Sequence, residues 1–401
     1  MERSRVRVFF FCVLPVVSGC ISINYFDRGE LIAMPNTITE IPFRSENGLI
    51  VIGAEINGVH GQFLFDNGFS LSAVTPQFAE RAGIRFKNKM KLTDANNNAV
   101  STPVAIVDTV RFGHLSFVNT GFYEVDTDVF FPCTAIDGII GGSIINKANW
   151  EIDFRQSKIR ISPDPFDNKG IRMDISFSGN NNTFTTLLIN GNHPVNSKID
   201  FGKNSPLSLR YEDVISFMSN TPVKKMEGIR AVSSHGIGAP EVFYHTAQPV
   251  SIQHKNETLP SAEVTLSSTL KYSGYIGAAY FRNFLVAINS SEQAYVLSAI
   301  DTVEDGDKGL SYGIAIHYHN GKWRVIQKNA ADSLLSSISI LDEVEEIDQK
   351  PISSFADICA YRQYVNEKKW KNEPLVLKIS GMSKHLVLPY RTPVNVTLLI
   401  E

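Results

Sequence analysis

The chain has 401 residues, of which 43% are hydrophobic, and a formal net charge of -3 at pH 7. This length predicts two or three domains, and the ordinary apolar fraction allows sizeable hydrophobic cores. The near-balanced charge argues against nucleic acid as a partner, because nucleic-acid binding normally needs clustered Lys and Arg. The 25 Phe residues and the many β-branched pairs favour a mainly β structure.

The first segment of the chain has the pattern of an export signal. Three Arg residues precede the apolar run of residues 8–17, which is too short to span a bilayer as a mature helix. The sequence VSGC that ends at Cys20 then resembles a bacterial lipobox, in which cleavage before the Cys leaves that Cys lipidated. We expect residues 1–19 to be a lipoprotein signal peptide, Cys20 to carry lipid and residues 20–44 to form a tether. An ordinary signal peptide cut nearby is the alternative.

Two segments further along the chain repeat the same turn and the same Asp-x-Gly tripeptide. The pattern I-N-G-x-H occurs at Ile56–His60 and again at Ile189–His193. In each copy an Asp-x-Gly follows nine or ten residues after the Asn, with Asp66 in the first copy and Asp200 in the second. Each copy therefore predicts a hairpin that carries an apolar strand up to an Asp.

A second pair of landmarks supports an internal duplication. Residues 137–153 align without gaps on residues 273–289, so that Gly138 matches Gly274. The offset is 136 positions for these blocks and 134 positions for the two Asp residues, which is nearly constant. The duplication predicts two mainly β lobes, at about 45–163 and 168–300.

The repeated landmarks resemble those of the pepsin and retropepsin aspartic proteases. Residues 66–68 lie about 75 positions before the apolar-apolar-Gly tripeptide 139–141, and residues 200–202 precede the tripeptide 275–277 in the same way. The resemblance covers roughly residues 45–300. It implies a two-lobed, pepsin/retropepsin-like β-barrel fold in which each lobe supplies one catalytic Asp at the interface.

The resemblance assigns the catalysis to Asp66 and Asp200. Two carboxylates about 3 Å apart share one proton, and their apparent pKa values separate. The ionised partner takes a proton from a bound water while the protonated one polarises the scissile carbonyl. Gly68 and Gly202 permit the close approach of the two loops. This chemistry needs no metal and no cofactor, and no Cys/His cluster in the sequence suggests one.

Other positions of the two loops have expected supporting roles. The resemblance implies that Ser70 donates a hydrogen bond to the catalytic carboxylate and that residues 90–112 form a flap over the substrate. The family has Ser or Thr directly after each Asp, where a hydroxyl braces the opposite loop. This chain has Asn67 and Phe201 there instead. Asn67 can replace the hydroxyl, but Phe201 offers no polar group.

The last hundred residues read as a separate unit. A polar stretch at 302–309 predicts a linker, and residues 325–352 within the segment 309–396 resemble part of a PDZ domain. The resemblance implies a small α/β domain that binds peptides by adding a strand to a sheet edge. Cys133 and Cys359 lie far apart in sequence, and we expect two separate thiols rather than a disulfide.

Together these features predict an exported, membrane-anchored aspartic endopeptidase. We expect it to lie in a bacterial cell envelope, on the outer membrane facing the periplasm. Its expected partners are polypeptide substrates and the membrane, and we expect it to be monomeric because both Asp residues lie in one chain. The alternative function is a catalytically inactive pseudoprotease that binds extended peptides.

Overall fold

The computed structural model describes residues 24–94, 98–128, 131–230, 232–233, 236–300, 312–319, 321–390 and 397–398. The expected signal peptide, the expected lipidation site Cys20 and the expected linker 302–309 lie outside the described residues. Strands dominate the described chain, which confirms the mainly β prediction. Within the described ranges no helix is both long enough and apolar enough to cross a membrane.

The first lobe forms most of a 14-stranded sheet. Its first helix begins at Pro76 because the Thr75 hydroxyl caps it by accepting from Phe78 N, at 3.2 Å. The strands and helices of this part are β1 Glu30–Ile32, β2 Thr39–Glu46, β3 Leu49–Ile56, β4 Val59–Phe65, β5 Ser72–Val74, α1 Pro76–Arg81, β6 Asn88–Thr93, β7 Ala99–Phe112, β8 Leu115–Glu124, β9 Gly138–Ile140, α2 Gly142–Ile145, β10 Asn149–Asp153 and β11 Lys158–Ser162.

The segment expected to be a tether is part of the fold instead. Strand β1 pairs with β8, and β2 pairs with both β3 and β11. The side chains of Thr39 and Phe43 are buried, so this segment gains packing and hydrogen bonds that a free tether would lack. The described residues between 24 and 44 therefore belong to the first lobe.

The second lobe repeats the first with added strands. Its elements are β12 Ile171–Asp174, β13 Ser176–Phe177, β14 Thr183–Ile189, β15 His193–Asp200, β16 Leu207–Arg210, α3 Tyr211–Met218, β17 Pro222–Gly228, β18 Val232–Ser233, β19 Gly236–Ile237, β20 Glu241–Thr246, β21 Val250–His254, β22 Glu257–Ala262, β23 Val264–Ser267, β24 Gly274–Gly277, α4 Ala278–Phe281, β25 Phe284–Asn289 and β26 Ala294–Ala299.

Strand pairing in the two lobes follows one pattern. In the first lobe β4 runs parallel to β9, which then pairs antiparallel with β5. In the second lobe β15 runs parallel to β24, which pairs antiparallel with β16. The aligned glycines Gly138 and Gly274 hold the corresponding positions, opposite Phe63 and Ser197. The duplication inferred from sequence is therefore a duplication of topology.

The two lobes meet in a shared antiparallel sheet. Strand β10 of the first lobe pairs with β25 of the second, with Asn149 opposite Asn289. Strands in the order β12-β26-β25-β10-β11-β2 continue on both sides of this pair. One hydrophobic core cluster contains residues of both lobes, including Trp150 and Phe201, so the lobes pack as one body below the Asp loops.

The C-terminal unit has its own small core. Strand β28 pairs with β17 of the second lobe, so this unit extends that lobe's sheet. Its elements are β27 Ile314–His319, β28 Lys322–Asn329, β29 Val344–Ile347, β30 Lys350–Pro351, α5 Ile358–Trp370, β31 Leu375–Ile379 and β32 Leu386–Leu388, with β33 Thr397–Leu398 also on β17.

The two remaining Cys residues form a disulfide, so the prediction of separate thiols was wrong. Cys133 and Cys359 are bonded, with their Cα atoms 5.3 Å apart. Cys133 packs against the core of the C-terminal unit although it belongs to the first lobe. Their separation of 226 positions in sequence hid this contact, because only tertiary packing brings the two segments together.

Candidate active site

Asp66 and Asp200 lie side by side where the two lobes meet. Asp66 directly follows β4, and Asp200 is the last residue of β15. The backbone N–H of Gly202 donates to Asp66 Oδ1 at 3.0 Å and to Asp200 Oδ1 at 3.1 Å. Gly68 N also donates to Asp66 Oδ1, at 2.7 Å. One donor between two carboxylates places them close enough to act as a pair.

The two glycines leave room for this approach. A Cβ atom on Gly68 would lie 2.3 Å from Asp200 Oδ1, and one on Gly202 would lie 2.1 Å from Asp66 Oδ2. Each glycine therefore faces the carboxylate of the opposite lobe. Any larger residue at either position would push the two Asp side chains apart.

A single side chain on the first lobe braces the Asp200 loop of the second. Asn67 is fully buried, and its Oδ1 accepts from Phe201 N at 2.9 Å. Its Nδ2 donates to the Tyr295 hydroxyl at 3.1 Å. Tyr295 comes from β26 and had no signal in the sequence, because it lies 228 positions from Asn67. The brace thus uses the backbone of Phe201 and needs no polar side chain there.

The Phe201 side chain belongs to the core. It is fully buried, stacks on Phe281 with ring centroids 5.0 Å apart, and meets Phe65 edge-on at 5.7 Å. These contacts explain an aromatic residue at a position where the related family carries a hydroxyl.

Ser70 does not have the expected partner. It lines the cleft, but its hydroxyl accepts from Asn182 Nδ2 at 3.4 Å. Among the hydrogen bonds of the described residues, none joins Ser70 to Asp66 or Asp200. The hydrogen bond expected from the sequence is therefore not formed among the described residues, and the Ser70 hydroxyl contacts Asn182 of the second lobe.

Lys198 is a site residue that sequence reasoning missed. It lies on β15 two positions before Asp200, on the same face of the strand. Only 7% of the residue is exposed, and its ammonium donates to Gly68 O at 2.7 Å. The duplicated position in the first lobe is Leu64. A Lys at the position where the first copy has Leu64 was the signal available in the sequence.

Opposing effects act on the pKa of Asp66, one carboxyl of the pair. Burial raises the pKa of Asp66 well above its ordinary value, and the negative charge of Asp200 raises that pKa further. The ammonium of Lys198 and the N–H groups of the two glycines lower it. Asp66 is only 4% exposed. The pair therefore holds a proton to higher pH than isolated carboxylates would.

The dyad opens into a cleft of about 550 Å³. The hairpin of β6 and β7 covers one side, and residues 91–94 near its tip line the cleft. This hairpin runs from Asn88 to Phe112 and so includes residues 90–112, where the sequence predicted a flap. Within the described residues no three His, Cys, Asp or Glu side chains form a group that could hold a metal ion.

A comparison with known families agrees with this geometry. A family model described as aspartyl protease matches residues 52–144. The matched range contains the Asp66 loop and the strand β9 beside it, and it supports an aspartyl protease family and peptidase function in general. No curated protein matches the chain.

Proposed function

We propose that this protein is an aspartic endopeptidase that hydrolyses peptide bonds with Asp66 and Asp200. The observation that carries the proposal is the Gly202 N–H, which donates to both carboxylates at 3.0 and 3.1 Å. Two carboxyl groups that share one environment and one proton supply an acid and a base in the same place.

In the proposed reaction a water molecule between the carboxyl groups attacks the scissile carbonyl carbon. The ionised carboxylate takes one proton from the water, and the protonated carboxyl donates its proton to the carbonyl oxygen. The tetrahedral intermediate then collapses, the C–N bond breaks and a proton passes to the leaving amine. The buried position and raised pKa of Asp66 favour Asp66 as the protonated member, although the two titrate as a pair.

We also propose that the protein acts outside the cytoplasm while anchored to a membrane through Cys20. The Cys133–Cys359 disulfide supports an oxidising compartment. Phe26 lines the cleft and lies six positions after Cys20. Six extended residues span about 20 Å. A lipid on Cys20 would therefore hold the cleft near the bilayer, within reach of polypeptides at the membrane surface.

The C-terminal unit is proposed to bind polypeptide as a PDZ-like domain. Strand β27 ends the sheet order of the described strands, which leaves one side of it for strand addition. Strand β28 beside it pairs with β17 of the second lobe. A peptide held on β27 would therefore lie on the same continuous sheet as a wall of the cleft.

Incubation of residues 21–401 with a diverse peptide library across pH 3–8 tests the proposal. We expect the wild type to cleave and Asp66→Asn and Asp200→Asn each to abolish cleavage, because each removes one ionisable member of the pair. Asp108→Asn, an exposed position on β7, is the matched control and should cleave normally. Peptide binding without cleavage by the wild type would instead support the pseudoprotease alternative.

A further inference from the structure

The two walls of the cleft differ in chemistry. The wall from the first lobe contributes an aromatic and aliphatic patch of Phe26, Phe69, Leu71, Leu92, Tyr123 and Phe131, beside polar residues of the β6–β7 hairpin such as Lys91 and Asp94. The wall from the second lobe carries four cationic side chains and two tyrosines: Lys198, Lys203, Arg230, Lys271, Tyr272 and Tyr275. The contrast is informative because the two lobes share one topology, yet four cationic side chains line the cleft from the second lobe and one, Lys91, from the first.

Two of these cations have no carboxylate partner among the described residues. Lys203 Nζ lies 5.4 Å from the centre of the Tyr275 ring, and Lys271 Nζ lies 5.7 Å from that of Tyr272. These are ring contacts, and neither ammonium forms an ion pair in the described parts of the chain. A tyrosine face attracts a cation but does not neutralise it.

The other two cations each have an acidic neighbour. Arg230 Nε lies 3.2 Å from Glu241 Oε1, while Glu241 also accepts from the hydroxyls of Ser267 and Thr269. Lys198 faces the dyad, which carries about one negative charge when one carboxyl holds a proton.

A half-buried cation without a partner is costly to keep charged. Burial lowers the pKa of Lys203 to about 8, with the charge of Arg230 acting in the same direction. An anionic group that enters the cleft at this wall would gain charge-assisted hydrogen bonds and reduce the repulsion between Lys203 and Arg230. A cationic group would add to that repulsion, which gives the site discrimination as well as affinity.

We infer that the cleft selects polypeptides with an acidic side chain on the second-lobe side of the scissile bond and an apolar side chain on the first-lobe side. This inference rests on the proposed peptidase function and adds a substrate class to it. The acidic side chain would meet Lys203, Arg230 and Lys271, and the apolar one would meet the aromatic wall around Phe69.

Peptides that differ at one position test the inference. Each peptide has an apolar residue on one side of the cleavable bond and Glu, Gln or Lys on the other side. Both arrangements, with the apolar residue before or after the bond, are made. The peptides are compared by kcat/KM. We expect Glu to exceed Gln by roughly tenfold or more, since a hydrogen bond to a charged group contributes about 1.5–3 kcal/mol. Lys should be the poorest of the three. The preference of the wild type should weaken as salt is raised, because salt screens partly exposed charges.

Two variants locate the preference on the second-lobe wall. Lys203→Gln should bring the Glu and Gln peptides closer together, and Lys203→Glu should favour the Lys peptide. Lys169→Gln, an exposed position of the second lobe away from the cleft, is the matched control and should retain the wild-type preference. If a variant fails to fold, the salt dependence of the wild type still tests whether the preference for Glu is electrostatic.

The possible outcomes test the acidic preference and the proposed peptidase function separately. Wild-type protein that cleaves none of the peptides contradicts the proposed peptidase. Cleavage with equal rates for Glu and Gln, or with faster cleavage of the Lys peptide, overturns the acidic preference and leaves the peptidase standing. A preference for Glu that survives Lys203→Glu unchanged also overturns the assignment to this wall.

Discussion

Asn67 Oδ1 accepts the backbone N–H of Phe201 at 2.9 Å, so an amide on one lobe holds the Asp200 loop of the other. The brace is one-sided, because Phe201 returns no side-chain hydrogen bond. The second half of the support is the hydrogen bond from Asn67 Nδ2 to Tyr295. An aromatic residue after the second Asp is therefore compatible with two carboxyl groups held together.

The substitution Asn67→Leu tests this brace. It would leave the buried N–H of Phe201 without a partner, which costs about 1–3 kcal/mol of folding free energy. It should also reduce kcat by tenfold or more, because small displacements of catalytic groups are costly. Asn67→Thr keeps an acceptor and should be intermediate in both chemical denaturation and peptide cleavage. Wild-type kcat in Asn67→Leu would contradict the assigned role.

Phe201→Thr should destabilise the protein instead of improving it. The side chain packs between Phe65 and Phe281, and truncation of a buried Phe leaves a cavity that costs about 3 kcal/mol or more. Phe201→Leu is the control and should cost less because it fills more of the space. Urea unfolding measures both, and a Thr variant as stable as wild type would contradict the packing described here.

Removal of the Lys198 charge should move the pH profile of cleavage to higher pH. The ammonium lowers the pKa of Asp66, so without it the pKa of Asp66 should rise, and with it the limb of the profile that Asp66 controls. Lys198→Gln preserves a donor for Gly68 O and isolates the effect of charge, whereas Lys198→Leu restores the residue of the first lobe. An unshifted profile in both variants would show that Lys198 acts only by packing.

The acidic preference should itself depend on pH. Burial lowers the pKa of Lys203 to about 8, while Asp200 and Glu241 oppose that shift. Lys203 is charged below that pH and neutral above it, so the Glu-to-Gln ratio of kcat/KM should fall as the pH rises through about 8. The ratio cancels the titration of the dyad, because both peptides use the same catalytic pair. A ratio that stays constant from pH 7 to pH 9 would exclude Lys203 as its source.

Replacement of the disulfide should lower stability. Cys133→Ser combined with Cys359→Ser opens a loop of 226 positions, and loss of a native disulfide costs about 2–5 kcal/mol. A lower unfolding midpoint is expected in the double variant, and the wild type should move to the same midpoint after reduction. The double variant treated with the same reductant is the control, and its unfolding midpoint should not change.

The parts of the fold that could be predicted from the sequence are those that belong to the internal duplication. The hairpins before Asp66 and Asp200 and the strands that start at Gly138 and Gly274 follow from local apolar runs and turn residues. Two such copies imply a paired site, and the loops do lie together. Local pattern and spacing were sufficient for this level of detail.

The remaining features depend on contacts between distant segments. The tyrosine behind Asn67 comes from the far end of the second lobe, and the Ser70 hydroxyl meets Asn182 instead of a carboxylate. Residues near Phe26 pack beside the cleft although their sequence has no strong strand pattern. None of these pairings has a local signature, since each is decided by how the lobes pack.

The disulfide between the first lobe and α5 has a consequence for the integrity of the molecule during proteolysis. Two covalent links join the C-terminal unit to the rest of the protein: the polypeptide chain after the second lobe, and the disulfide. A single backbone cut between residues 300 and 312 would leave the two fragments joined through Cys133 and Cys359. The strand pair of β17 with β28 would also stay in place. The C-terminal unit would thus stay attached after such a nick, and the cut would be visible only after reduction.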